Sequence, residues 1–127
     1  MRFVSTLIVV LFFAGCQAQQ TSVQEQANGG TVLKLDKAAF AEKIAEENIQ
    51  FVDVRTPGEF NAGHIKGAVN IDYTSPDFPD KIQQLDKDKP VAIYCQSGNR
   101  SGRASKVMLS LGFKEVYDLT GGYSHWK

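Results

Sequence analysis

Short apolar runs alternate with amphipathic and polar segments along residues 31–127 of this chain. Five of the runs have the length of β-strands: "TVLKL" (31–35), "IQFVDV" (49–54), "AVNI" (68–71), "VAIYC" (91–95) and "EVYDL" (115–119). β-Branched and aromatic residues are frequent in them, which is typical of buried strands. Strands that alternate with helical patterns predict an α/β domain whose sheet is mainly parallel.

Helical periodicity is clearest in two segments. Asp36 is placed to cap a helix in "KAAFAEKIAEEN" (37–48), where Phe40 and Ile44 lie four residues apart on one face. A second amphipathic helix is predicted to begin near Ser101. Its apolar residues recur with the spacing i, i+3, i+4, i+7; they are Ala104, Val107, Met108 and Leu111.

The segments between these elements contain breakers of regular structure. In "RTPGEFNAGHIKG" (55–67), one proline and three glycines interrupt any period, so we expect this segment to be irregular. "SPDFPDKIQQL" (75–85) predicts a loop followed by a brief helix that ends near Leu85. "KDKP" (87–90) then predicts a turn before the next strand.

The first residues have the pattern of an export signal. "MRFVSTLIVVLFFAGC" places Arg2 before an apolar stretch at residues 7–14, and small residues follow that stretch. The stretch is too short for a membrane-spanning helix, which needs about 20 apolar residues. Residues 1–15 are therefore predicted to be a secretory signal peptide.

A lipid anchor is a more specific expectation for the same segment. "FAGC" resembles a bacterial lipobox, with Phe13 where that pattern usually has Leu, and the resemblance implies that Cys16 is lipidated. The alternative is a plain signal peptide that is cut after Ala18. A lipidated Cys16 would place the protein in the cell envelope of a bacterium, facing the periplasm, with the lipid as its contact with a membrane.

Residues 16–30 are predicted to be a flexible tether between this anchor and the domain at residues 31–127. The segment "QAQQTSVQEQANGG" is polar and ends in two glycines, so it has little apolar surface to bury against a core. If Cys16 is acylated, Cys95 is the one free thiol of the mature chain. An unpaired thiol is unusual in an exported protein and points to a chemical role.

Charge and cysteine content exclude two classes of function. The chain has 127 residues, and its fourteen basic residues balance fourteen acidic ones, so a nucleic-acid partner has no electrostatic support. Cys95 and two distant histidines offer too few ligands for a metal site. The candidate chemistry is therefore that of the Cys95 thiol itself.

The segment "AIYCQSGNRSGRAS" (92–105) joins a predicted strand to a predicted helix through a loop that begins with Cys95. Backbone N–H groups of such a loop can turn toward the sulfur, and the positive end of the helix dipole adds to their effect. These surroundings favour the thiolate, which is the nucleophilic form. A cysteine that ends a strand is commonly a small buried apolar residue. Gly98, which can adopt a positive φ, and the charge of Arg100 favour the nucleophile instead.

Four stretches, "FVDVRTPGEF", "GHIKGAVNI", "YCQSGNRS" and "GGYSHW", occur in the order found in single-domain rhodaneses. From about residue 31 to 126 the chain resembles this family. The resemblance implies a five-stranded, mainly parallel sheet with helices on both faces and no metal or organic cofactor. It also implies a sulfurtransferase. The active cysteine would take a sulfane sulfur from a small donor, thiosulfate or a persulfide, and pass it to cyanide or to a thiol acceptor such as a small redox protein.

The resemblance also assigns roles to individual residues. Cys95 matches the persulfide-forming cysteine. The residues after it match the sulfur-binding loop and the start of the helix; they are Gln96, Ser97, Gly98, Asn99, Arg100 and Ser101. Arg100 is also placed to attract an anionic donor. Asp53 and Arg55 match residues that help to organise the site, but a structural role stays open, with Arg55 paired to Glu59 and Asp53 bonded to loop backbone.

Two other functions stay open at this point. Cysteine phosphatases and the arsenate reductases that resemble them place five residues between Cys and Arg. Here four residues separate Cys95 from Arg100, and this smaller loop suits a single sulfur better than a phosphoryl group. A rhodanese-like domain can also act without turnover, as a binding module or a persulfide carrier. The intact "CQSGNR" favours catalysis.

Overall fold

The computed structural model describes residues 24–127, which form one six-stranded sheet and five helices. The strands are β1 (Gln24–Ala27), β2 (Gly30–Leu35), β3 (Gln50–Asp53), β4 (Val69–Asn70), β5 (Val91–Tyr94) and β6 (Glu115–Leu119). The helices are α1 (Lys37–Ile44), α2 (Pro57–Ala62), α3 (Phe78–Ile82), α4 (Asn99–Ser110) and α5 (Gly122–Trp126). Within these residues, no helix combines the length and the apolar character needed to cross a membrane.

The strand order in the sheet is β1-β2-β6-β5-β3-β4. Every neighbouring pair from β2 to β4 is parallel, and β1 alone runs antiparallel to its neighbour. The predicted α/β fold with a mainly parallel sheet is therefore confirmed. In such a sheet the carboxyl ends of the parallel strands meet at one edge, where ligands bind.

The sheet has six strands instead of the five that the resemblance implies, because β1 pairs with β2 as a hairpin. The turn is Asn28-Gly29, whose φ angles of 54° and 75° match the favoured two-residue hairpin geometry. The prediction of a flexible tether is wrong for residues 24–30. The polar side chains of β1 are all exposed, so no apolar alternation marked the strand. Cys16 and the predicted signal peptide lie outside the described residues.

Two apolar clusters cover the two faces of the sheet, because successive side chains of a strand point to opposite sides. One cluster joins the sheet to α3 and α4 through residues such as Ile82, Ala104 and Met108, and it includes Cys95. The other packs Phe40 of α1 and Trp126 of α5 against the opposite face. Helices therefore lie on both faces, as the resemblance implies.

Local sequence explains where the helices begin and end. The Asp36 carboxylate accepts the Ala39 N–H at 2.8 Å, which confirms the predicted cap of α1. Residues 55–67 are not irregular throughout, and that prediction is wrong, because α2 lies inside them. Thr56 and Glu59 form a capping box at its start, and Pro57 occupies the first turn, where its missing N–H costs nothing.

Candidate active site

Two strand ends place the site at the carboxyl edge of the sheet. β3 and β5 are hydrogen-bonded neighbours, and Asp53 pairs in register with Tyr94, the residue before Cys95. The segments after both strands therefore meet at this edge, one leading into α2 and the other into α4. We call residues 95–100 the Cys95 loop.

The Cys95 loop curls around the sulfur. Cys95 is fully buried, and its Sγ accepts the Gly98 N–H at 3.0 Å. Gly98 has a φ of 101°, a left-handed conformation that residues with a Cβ rarely adopt, and α4 begins at the next residue. This turn starts the helix at Asn99, close to the predicted start near Ser101, and places the Gly98 N–H and the helix N-terminus beside the sulfur.

The other predicted loop residues have unequal surroundings. Ser97 and Asn99 are exposed, so these residues contribute their backbone atoms to the loop and not a buried side chain. Ser101 is fully buried, and its hydroxyl donates to the Gly98 carbonyl at 3.3 Å. Gln96 is half-buried and extends its side chain toward Arg55. The structure thus brings Cys95, Gln96, Gly98 and Ser101 together.

The start of α5 holds the Cys95 loop from behind. The Tyr123 and Ser124 N–H groups donate to the Cys95 and Gln96 carbonyls at 2.8 and 3.0 Å. A Cβ at Gly122 would lie 2.4 Å from the Cys95 carbonyl oxygen, so only glycine allows this approach. The sequence reasoning missed this role of Gly122, although the "GG" before an aromatic residue was its visible signal.

Asp53 and Arg55 form a buried ion pair beside the loop. The Arg55 Nε lies 3.0 Å from each carboxylate oxygen of Asp53, and Nη2 donates to Oδ2 at 2.7 Å. Arg55 also donates to the Gln96 Oε1 at 3.0 Å and to the Gly63 carbonyl at 2.7 Å. Burial lowers the pKa of Arg55, but the hydrogen bonds and charge of Asp53, together with contributions from Tyr94, raise it above its ordinary value. Arg55 is thus paired with Asp53, and the alternative pairing with Glu59 is wrong.

Two tyrosines enclose the Arg55 guanidinium. Its centre lies 4.3 Å from the ring centroid of Tyr123 and 5.5 Å from that of Tyr94. The Tyr94 hydroxyl accepts the Ile65 N–H at 3.0 Å, and burial together with Asp53 raises the pKa of Tyr94. These contacts fix the position of Arg55, which in turn holds Gln96.

Glu59 pairs with Arg100, a contact that the sequence reasoning did not find. The Arg100 Nη1 and Nη2 donate to the Glu59 carboxylate at 2.6 and 2.9 Å. These hydrogen bonds lower the pKa of Glu59 to about 2, although partial burial acts to raise it. Hydrogen bonds from Thr56 lower the pKa further. The spacing of Thr56 and Glu59 is that of a capping box, so the sequence could have placed Glu59 at the start of a helix. No sequence pattern connects Glu59 with Arg100.

Asp118 of β6 is a further missed residue, and its side chain is buried. It is 2% exposed, and its Oδ1 has no hydrogen-bond partner among the described residues. Burial raises the pKa of Asp118 to about 6, although hydrogen bonding with Ser101 and the charge of Lys34 lower it.

A cavity of about 180 Å³ opens next to these pairs. Arg55, Glu59, Gln96, Tyr123 and Lys127 lie on its walls, together with the small residues Ala62 and Gly63. His64, in the loop after α2, stacks on Phe60 with a centroid separation of 3.7 Å, and its Nδ1 lies 2.9 Å from the Phe60 carbonyl. These contacts hold His64 against the end of α2, which is a structural role.

Comparisons with known proteins agree with this architecture. Residues 36–127 match the family model described as a rhodanese-like domain. Over 87 residues the chain is 36% identical to the thiosulfate sulfurtransferase GlpE of Pseudomonas syringae, covering 68% of this chain and 80% of that protein. It is also 43% identical over 77 residues to the uncharacterized protein YqhL of Bacillus subtilis, covering 61% of this chain and 60% of YqhL.

Solved structures show the same fold. A rhodanese-related protein from Thermoplasma volcanium is similar with a TM-score of 0.64 at 31% identity, covering 73% of this chain and 88% of that one. A rhodanese-like domain protein from Staphylococcus aureus has a TM-score of 0.65 at 25% identity, covering 74% and 90% of the two chains. The family model, the sulfurtransferase relatives and the shared fold therefore show that this chain belongs to the rhodanese-like domain family.

Proposed function

We propose that this protein is a sulfurtransferase in which Cys95 carries the transferred sulfur as a persulfide. The observation that carries the proposal is the hydrogen bond from the Gly98 N–H to the Cys95 Sγ, 3.0 Å long, at the N-terminal end of α4. Backbone donors and a helix N-terminus both stabilise negative charge on sulfur. The relatives named thiosulfate sulfurtransferase support the same class of reaction.

In the first half-reaction, the Cys95 thiolate attacks the outer sulfur of a donor such as thiosulfate. The new bond joins Sγ to that sulfur, and the sulfur–sulfur bond of the donor breaks. Its electron pair leaves with sulfite, so no external oxidant or reductant is needed. Cys95 then carries a terminal sulfur whose negative charge lies among the backbone donors of the Cys95 loop.

In the second half-reaction, the thiolate of an acceptor or cyanide attacks the terminal sulfur. The bond between the two sulfurs of the Cys95 persulfide breaks, and the electron pair returns to Cys95 as thiolate. The acceptor leaves as a persulfide or as thiocyanate. Contacts from Tyr123 and Arg55 hold the loop in one shape through both steps, so little reorganisation is required.

Intact-mass spectrometry after thiosulfate treatment tests this proposal. The Cys16→Ser variant of the full chain leaves Cys95 as its single thiol. We expect it to gain the mass of one sulfur atom, to lose that mass when cyanide is added, and to release thiocyanate. The Cys16→Ser/Cys95→Ser double variant is the matched control and should gain nothing. If Cys95 gains no sulfur from thiosulfate or from a persulfide donor, the proposal is wrong.

The same measurement separates the alternatives. A persulfide carrier without turnover would gain the sulfur on Cys95 but would not release thiocyanate or an acceptor persulfide in repeated cycles. A cysteine phosphatase would hydrolyse a chromogenic aryl phosphate, and the Cys95→Ser variant would lose that activity. The four-residue spacing between Cys95 and Arg100 argues against the phosphatase.

We also propose that the protein works in the cell envelope of a bacterium, held there by lipid on Cys16. The apolar stretch at residues 7–14 and the "FAGC" motif support this location. Cells that express the protein should incorporate a radioactive fatty acid into it, and the Cys16→Ala variant should lose the label. Label that persists in this variant would exclude Cys16 as the acylated residue.

A further inference from the structure

Both arginines near Cys95, Arg55 and Arg100, already have carboxylate partners. Arg55 holds Asp53 through three contacts of 3.0 Å or less. Arg100 holds Glu59 through two contacts of 2.6 and 2.9 Å. A small dianion such as thiosulfate therefore meets two guanidinium groups that each already hold a carboxylate. The charge that would attract the dianion is thus largely offset before it binds.

Of the two carboxylates, Glu59 is the one that a donor can reach. Its side chain is 32% exposed and lines the cavity beside the Cys95 loop, whereas the Asp53 side chain is fully buried. Glu59 is also held in place from its own helix. The Thr56 N–H and hydroxyl donate to Oε1 at 3.3 and 3.0 Å, so the charge stays near the loop even when Arg100 moves.

Arg100 connects this charge to the reacting sulfur. The hydrogen bonds from Arg100 to Glu59 are the largest cause of the raised pKa of Arg100. The charges of Cys95 and Asp72 also raise this pKa. Cys95 and two carboxylates, Glu59 and Asp72, thus act on one guanidinium. Asp72 is anchored by the Thr74 N–H and hydroxyl at 2.8 and 2.7 Å. Negative charge next to Arg100 disfavours a second negative charge brought by a donor.

We infer that Glu59 is a specificity-determining residue that directs this site toward organic sulfane-sulfur donors of low charge and against thiosulfate. Thiosulfate concentrates two negative charges beside the transferred sulfur, whereas an organic thiosulfonate has one. The inference rests on the proposed sulfur transfer through Cys95. Beyond that proposal, we infer that the pairing of Arg100 with Glu59 determines which donor the site prefers.

The test compares two donors on two variants of the full chain. Thiosulfate and benzenethiosulfonate transfer the same sulfane sulfur and differ by one unit of charge. In Glu59→Gln, the amide oxygen can still accept from Thr56, but the negative charge is gone. We expect the ratio of kcat/KM for thiosulfate to kcat/KM for benzenethiosulfonate to rise about tenfold, since the lost repulsion acts more strongly on the dianion.

Glu47→Gln is the matched control because it removes the same charge from an exposed residue before β3, at the far end of that strand from Asp53. It should leave the ratio unchanged. Glu59→Asp, which keeps the charge, should keep the ratio near that of the unchanged protein. Asp72→Asn should raise the ratio by a smaller factor. It provides a second measurement of the ratio if Glu59→Gln does not fold.

An unchanged or lower ratio in Glu59→Gln overturns the inference, because Glu59 would then only orient Arg100 for the donor. If Glu59→Gln does not fold, an unchanged ratio in Asp72→Asn overturns it. The proposed sulfur transfer fails by a different result, namely no sulfur on Cys95 of the unchanged protein with either donor. The two failures are therefore distinguishable in one set of measurements.

Discussion

Two arginine–carboxylate pairs lie at the carboxyl edge of the sheet, and they differ in how much water reaches them. In the Asp53–Arg55 pair the side chains are 0% and 2% exposed, whereas in Glu59–Arg100 they are 32% and 26% exposed. The first pair also joins the buried Tyr94 and the half-buried Gln96. The second pair joins a helix cap to the rim of the Cys95 loop.

This difference in burial gives the pairs different roles. A buried ion pair is costly to break, because removing one partner leaves the other charge without water or a counter-ion. A pair with partly exposed side chains contributes little to stability and can exchange its partner for a ligand. We therefore expect Asp53–Arg55 to maintain the shape of the site and Glu59–Arg100 to control what enters it.

Breaking the buried pair should have the largest effect on stability. Asp53→Asn leaves the Arg55 guanidinium buried without its counter-charge, so the free energy of unfolding should fall by about 3–5 kcal/mol. Urea unfolding followed by circular dichroism measures this change. Asp88→Asn, at an exposed position in the turn before β5, is the control and should change stability by less than about 0.5 kcal/mol. A loss as small as that of the control would show that Arg55 does not depend on Asp53.

A buried carboxyl group whose pKa is raised should respond to pH in the direction opposite to Glu59, whose pKa is lowered. The pKa of Asp118 is about 6 in the folded protein, above its ordinary value of 3.8. The folded state therefore holds this proton more tightly, and stability falls as pH rises from about 4 to 6. At pH 7, Asp118→Asn should be more stable than the unchanged protein by roughly 2–3 kcal/mol, and this gain should vanish near pH 4.

Thermal unfolding of the Asp118→Asn variant at several pH values checks this prediction, with Asp88→Asn as the control. A stability gain that is the same at pH 4 and pH 7 would mean that the gain does not come from the charge on Asp118.

Removing the charge from the exposed pair should have the smallest effect on stability. Glu59→Gln should lower the free energy of unfolding at pH 7 by less than about 1 kcal/mol, because water screens partly exposed charges. The pKa of Glu59 is lowered from 4.5 to about 2, so its contribution is present above pH 4.5 and is lost as pH falls toward 2. Urea unfolding at pH 7 and pH 3 measures both values. A loss comparable to that of Asp53→Asn would contradict the assignment of different roles.

The sequence predicted most of the fold because buried parallel strands have a strong local pattern. The five apolar runs correspond to β2, β3, β4, β5 and β6. The strand β1 escaped prediction because its residues are all exposed and only the Asn28-Gly29 turn marked the hairpin. The helix α2 is not apparent from the sequence because Pro57 and Gly58 read as breakers of regular structure, although both are compatible with the first turn of a capped helix.

The site was less accessible to sequence reasoning because its contacts join distant segments. The position of Cys95 before a glycine-containing loop and a helix is a local pattern, and it was recognised. The pairing of Arg100 with Glu59 links residues 41 positions apart, and no spacing rule connects them. Asp118 lies in a strand that reads as apolar, so its burial became visible only in three dimensions.

If the domain is held by lipid on Cys16, as proposed above, the hairpin of β1 and β2 has a mechanical consequence. Gln24 pairs with Leu33 at the open end of the hairpin, and the turn lies at the other end. Tension in the chain before Gln24 therefore acts first on the hydrogen bonds at the open end of the hairpin. The hydrogen bonds between β1 and β2 then break one after another and not all at once. β1 is an edge strand and contributes no residue to the Cys95 loop or to its two ion pairs. The domain can thus lengthen by releasing β1 while the parallel sheet that carries the thiol stays whole.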